Sequence, residues 1–194
     1  VTIGNDQLED RIGNLHPHKN IETQLHIVSR LINHFPDIKL ELIGEGPQRK
    51  YLINLCKKLG IADNVNFLGC CSRYTVKERL ENWRLFIMTS RDESFGLVAV
   101  EAMAMNVPVV AFKVGGLPEV IRDCKDGYLI ERDDIAFFAD RIKYIIENDE
   151  IRIKMGKMAR ERAVEKYSIA QMVASYEGLY MELFGKKDPR VVGK

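Results

Sequence analysis

Two glutamates, Glu93 and Glu101, bracket the run ESFGLVAVEA (93–102) with seven residues between them. On a helix rising ~1.5 Å per residue they stand roughly 10 to 12 Å apart along the axis, a gap that a diphosphate fits. Glu101 is the only charged residue in 95–105, and burying a carboxylate on so apolar a helix costs several kcal/mol unless it is hydrogen-bonded. Vicinal hydroxyls of a sugar are suitable donors. Ser94 reads as the N-cap of this helix and Gly96 as the point of close backbone approach, so free N–H groups at its start form a phosphate cradle. Lys19, in GNLHPHKN (13–20), adds a full positive charge to the same diphosphate if the two segments meet. Taken singly, a loop lysine or a helix glutamate is an ordinary surface residue; the pair on one apolar helix favours a ligand.

The segments meet if the chain is a doubly wound sheet. Strand-like runs at 38–44, 65–69, 84–90, 107–112 and 128–131 alternate with helical patterns, the mark of a parallel sheet covered by helices. Ile21, Leu25, Val28, Leu31, Ile32 and Phe35 share one helical face, and a second helix over 52–59 stops at Gly60. A first strand is expected ahead of Asn20, although Leu8, Ile12 and Leu15 fall at helical spacing. With the strand order 3-2-1-4-5-6, the crevice opens beyond strands one and four, between the loops 13–20 and 89–96. The expectation is an α/β Rossmann-like doubly wound parallel sheet of about six strands, helices on both faces and a helical tail from residue 133. Register breaks near 148–150 and 167–168 divide that tail, and 168–184 reads as a terminal helix with Tyr176, Leu179, Tyr180 and Leu183 on an apolar face.

Composition sets the limits. The 194 residues suit one domain, and 46% hydrophobic with 29% charged residues suits a packed core. The 29 basic and 28 acidic side chains nearly cancel, so no overall field points to nucleic acid. The basic stretch over 150–166 is interleaved with Glu161 and Glu165 and reads as a solvated face. Cys56, Cys70, Cys71 and Cys124 contain no C-x-x-C pair, which favours reduced thiols in an intracellular protein. No apolar run reaches the ~18 residues of a spanning helix. A cytoplasmic protein is expected, at most peripheral to the inner face of the membrane. It begins at Val1 without Met, which suits a fragment or a processed chain. His16 and His18 flank Pro17 with no carboxylate clustered beside them, and no D-x-D triplet occurs, so neither a metal nor another cofactor is expected. GEGPQR (44–49) lacks the third glycine of a dinucleotide fingerprint and follows the second strand, not the first.

ESFGLVAVEA resembles the two-glutamate motif of the retaining glycosyltransferases with the GT-B fold, the group that includes glycogen and sucrose synthases. The resemblance continues in order through GNLHPHKN (13–20), LIGEGP (42–47), NVNFLG (64–69), GGLPEV (115–120) and DGYLIE (126–131). It implies that residues 1–194 are the carboxy-terminal, donor-binding half of such an enzyme. It further implies that Glu93 contacts hydroxyls of the donor sugar, that the N–H groups of Phe95, Gly96 and Leu97 hold the diphosphate, and that Glu101 binds the ribose. Lys19 matches the family's phosphate-binding lysine; together with Glu93 it is the candidate catalytic pair. Gly13, Asn14 and Ser94 complete the candidate binding set, with Gly69 near the nucleobase. Asn14 stands where the family's G-R-L step often carries an arginine.

The activity so implied is transfer of a hexose from a nucleoside diphosphate sugar, UDP-sugar favoured, to an acceptor hydroxyl. Front-face attack through an oxocarbenium-like state would retain the anomeric configuration. The acceptor, a glycan, lipid or small molecule, would be held by an amino-terminal domain toward which 168–184 crosses. Two other readings share the same cleft: an epimerase or hydrolase of the GT-B type, and a non-catalytic nucleotide-sugar-binding module.

Overall fold

The computed structural model describes residues 15–185. Its elements follow in the order α1 (Ile21–Leu31), β1 (Leu40–Ile43), α2 (Arg49–Leu59), β2 (Val65–Gly69), α3 (Arg73–Asn82), β3 (Phe86–Met88), α4 (Leu97–Ala104) and β4 (Val109–Phe112), then α5 (Leu117–Val120), β5 (Gly127–Ile130), α6 (Ile135–Glu147), α7 (Asp149–Tyr167) and α8 (Ile169–Gly185). Among the described residues the strand pairs β1–β2, β3–β4 and β4–β5 are parallel.

β4 shows why the helices lie on both faces. Its four residues, Val-Val-Ala-Phe, are all buried, as a central parallel strand requires, and successive side chains point to opposite faces. Val109 and Ala111 enter a core with Met103, Leu117 and Ala159. Val110 and Phe112 enter another with Ile27, Phe138 and Ile142. A third core joins α1 and α2 to β1 and β2 through Leu25, Leu52, Leu42 and Val65. This is the α/β layering expected of the sequence.

The described strands form two sheets, β1–β2 and β3–β4–β5. Between β1 and β3 runs a cavity of 1120 Å³ lined on one side by Leu40, Leu42 and Ile43 and on the other by Leu85, Ile87 and Met88. The strand expected ahead of Asn20 lies outside the described residues, among which five strands are seen.

Helix boundaries follow local chemistry. Gly60 ends α2 in the left-handed region, φ 68°, returning its N–H to the Cys56 and Lys57 carbonyls. Ser72 caps α3 by accepting from the Thr75 N–H at 3.1 Å, and Asp134 caps α6 by accepting from the Phe137 N–H at 2.9 Å. The tail breaks at Asn148 and Ser168, where expected. α8 leaves Ile169, Met172, Val173, Tyr176, Leu179 and Leu183 exposed. No helix among the described residues is long and apolar enough to cross a membrane.

Candidate functional site

The two loops expected to meet do so. Asn20 adopts φ 52°, ψ 42°, a conformation Asn tolerates better than most side chains. It ends the short turn Pro17–Lys19 and turns the chain into α1. The buried Thr89 hydroxyl, one residue past β3, donates to the Asn20 carbonyl at 2.9 Å, and the Arg91 N–H donates to the His18 carbonyl at 2.8 Å. Those two bonds latch the loops side by side. Across the seam, Lys19 Nζ donates to Glu93 Oε2 at 2.7 Å, with the side chains only 21% and 14% exposed. Both candidate catalytic residues thus touch directly, a contact that sequence spacing does not reveal.

The backbone of 93–96 rests on a glycine shelf. The Gly116 N–H donates to the Glu93 carbonyl at 2.8 Å. A Cβ on Gly115, whose φ is +50°, would strike the Glu93 carbonyl oxygen, and one on Gly116 would strike that of Ser94. Gly96, at φ +87°, lies over Leu117, and a Cβ there would push on the end of that side chain. The role of GGLPEV is therefore steric, since only glycine at 115 and 116 lets the two segments close.

Gly96 also corrects the expected cap. α4 begins at Leu97 with Gly96 as N-cap, and no side chain caps it. The left-handed turn at Gly96 sets the helix start beyond Ser94, whose hydroxyl is not the cap. The first N–H groups of any α-helix lack intrahelical acceptors, so the amino end of α4 presents donors beside the Lys19–Glu93 pair, as the cradle requires.

Glu101 is exposed rather than buried. The helix is apolar nearly all round, but only Ala99, Ala102 and Met103 are fully buried, with Val100 and Ala104 half-buried against the same core, and Leu97, four residues before Glu101, is 67% exposed. Residues four apart share a face, so Leu97 and Glu101 form an open stripe leading from the amino end of α4. Phe95, 41% exposed, lies beside it. The burial cost expected for Glu101 from its apolar neighbours does not apply, because Leu97 on the same face is itself open to solvent.

Gly69 closes β2 at φ +69° and accepts the Gly44 N–H at 2.7 Å. It borders the loop of Glu45, whose carbonyl accepts the Leu15 N–H at 3.1 Å, and is one loop removed from Lys19 and Glu93. Gly13 and Asn14 lie outside the described residues. Among the described residues no group of three His, Cys, Asp or Glu side chains could hold a metal ion.

Known proteins resemble this chain in sequence and fold. The family model described as glycosyl transferases group 1 matches residues 11–162. The chain belongs to that family. Over 172 residues this glycosyltransferase chain is 36% identical to an N-acetyl-alpha-D-glucosaminyl L-malate synthase of Bacillus anthracis, covering 89% of this chain and 44% of that protein. It superimposes with a TM-score of 0.80 and 29% identity on a Staphylococcus aureus TarM variant in complex with Fondaparinux, alpha-GlcNAc-glycerol and UDP, covering 87% of this chain and 34% of that one. A group 1 glycosyltransferase from Francisella tularensis supplies a carboxy-terminal domain with TM-score 0.74 and 26% identity, covering 81% of this chain and 84% of that one. The glycosyltransferase chain thus spans less than half of the Bacillus anthracis relative.

Proposed function

We propose that this chain is the donor half of a retaining hexosyltransferase that uses a nucleoside diphosphate sugar, UDP-sugar in the first place, and delivers its sugar to an acceptor hydroxyl. The observation that carries this reading is the Lys19–Glu93 pair seated beside the uncapped amino end of α4. It sets a cation and free N–H donors where two phosphates can be held and a carboxylate where sugar hydroxyls can be met. UDP in the TarM variant's complex supports the choice of base.

In this reading the N–H groups of Phe95, Gly96 and Leu97, with Ser94 beside them, take the diphosphate, and Lys19 neutralises charge on it as the glycosidic bond breaks. Glu93 then exchanges its lysine partner for hydroxyls of the hexose. Glu101 reaches the ribose from the open face of α4, and Gly69, Gly13 and Asn14 border the nucleotide. A resident metal or cofactor is not required, because preorganised donors and one cation stabilise the leaving diphosphate. The acceptor is held by a second domain. The location is cytoplasmic.

Calorimetry with UDP in the presence of excess EDTA tests the site. Micromolar to millimolar binding that persists under chelation is expected, and binding that disappears with chelation defeats the metal-free reading.

A further inference from the structure

The last residue of α7 touches both segments that build the cradle. Tyr167 donates its hydroxyl to the Glu119 carbonyl at 2.9 Å, in the short α5 that follows the glycine shelf. Its ring meets Phe95 edge-on, centroids 5.5 Å apart at 85°. The ring is placed in turn by Arg162, whose guanidinium lies 5.9 Å from its centroid. Arg162 donates through Nε to the Val120 carbonyl at 2.7 Å and through a terminal nitrogen to that of Glu119. The wholly buried Asp126 stands 3.6 Å from the Arg162 Nε and binds Arg122 through both oxygens at 2.7 and 2.6 Å. α7 is itself pressed against the loop after α4, since a Cβ on Gly156 would strike the Asn106 carbonyl.

Phe95 directly precedes the turn at Gly96 and is flanked by exposed Ser94. Edge-to-face contact with Tyr167 orients its ring. We propose that Tyr167 is a positioning residue of the donor cradle: its ring fixes Phe95, its hydroxyl fixes the Glu119 carbonyl, and together they set the N–H groups at Gly96 and Leu97 against the shelf. The proposal rests on the reading that those N–H groups hold the donor diphosphate. Donors aimed in advance bind an anion without reorganising, and donors that wander lose that advantage.

The test measures UDP and uridine binding by wild-type protein, Tyr167→Leu and Tyr167→Phe, with thermal unfolding of each. Tyr167→Leu should weaken UDP about tenfold and leave uridine within about twofold. Tyr167→Phe, which keeps the ring, should recover most of the UDP affinity. Amide hydrogen exchange over 95–98 should quicken in Tyr167→Leu alone. Equal losses for UDP and uridine, or UDP affinity unchanged in a folded Tyr167→Leu, overturn the proposal. If Tyr167→Leu shows no cooperative unfolding, Phe95→Leu removes the same ring contact from the other side, and wild-type UDP affinity there overturns it equally. Wild-type protein that binds no UDP would instead fail the donor-site reading on which the proposal stands.

Discussion

Lys19 and Glu93 lie 74 positions apart and hold each other at 2.7 Å. A diphosphate entering the cleft competes with Glu93 for that ammonium. Glu93→Gln keeps the shape and releases Lys19, so it is expected to tighten free UDP about threefold while erasing most of the added affinity that the hexose contributes. Lys19→Met should weaken UDP and UDP-hexose alike, by about tenfold or more. Calorimetry on the two variants decides; tighter UDP-hexose binding by Glu93→Gln would show that the carboxylate repels the donor instead of receiving its sugar.

Glu101 stands on an exposed face, which separates its binding role from stability. Glu101→Ala should leave the unfolding midpoint within about a degree or two, as surface changes do. If the carboxylate holds the ribose, free nucleotide and nucleotide sugar should both weaken by about 1.5 to 3 kcal/mol, roughly ten- to a hundredfold. A variant that unfolds early with unaltered binding would assign Glu101 to the fold.

The glycine shelf gives a graded stability experiment. Gly115→Ala must move the Glu93 carbonyl and hold alanine at φ +50°, which together should cost about 2 to 4 kcal/mol in chemical denaturation. Gly60→Ala, at φ +68° with nothing within 4 Å of its added Cβ, bears only the backbone cost of about 1 to 2 kcal/mol. UDP affinity should fall in the first variant and not in the second. Equal destabilisation of the two would mean that the shelf yields to the extra methyl.

Thiol reactivity should follow burial. Burial pushes the Cys56 thiol above its ordinary value, and burial followed by the nearby Asp123 does the same to Cys124. A raised thiol pKa leaves less thiolate at any pH below it, so alkylation slows. With iodoacetamide at about pH 8, near the ordinary thiol pKa, peptide mapping should find the exposed Cys70 modified first, Cys124 later and Cys56 only as the protein unfolds. Cys56 reacting as fast as Cys70 would show that α2 opens in the native state.

What the sequence made legible was what repeats along it. The α1 face and the bounds of β2 follow from periodicity and flanking turns, and the meeting of loops 13–20 and 89–96 follows from topology alone. α3 leaves no mark in the pattern because Val76 and Leu80 are its only buried residues, too few to show a period. α5 is four residues long and is hidden inside GGLPEV. β3 is shorter than the run 84–90 because Thr89 leaves the ladder to bond Asn20, a partner 69 positions away. The displaced cap at Ser94 follows from the left-handed turn at Gly96, and the exposure of Glu101 from what packs around α4, neither of which local polarity reports.

Ser168 is a single extended residue, φ −68°, ψ 152°, between two helices. Beyond it α8 extends for 17 residues, an arm of about 25 Å. A turn of about ten degrees at that residue would carry the far end of such an arm roughly 4 Å. Tyr167 sits at that pivot. A load applied anywhere along that arm is therefore delivered beside the one residue whose ring meets Phe95 and whose hydroxyl holds the Glu119 carbonyl.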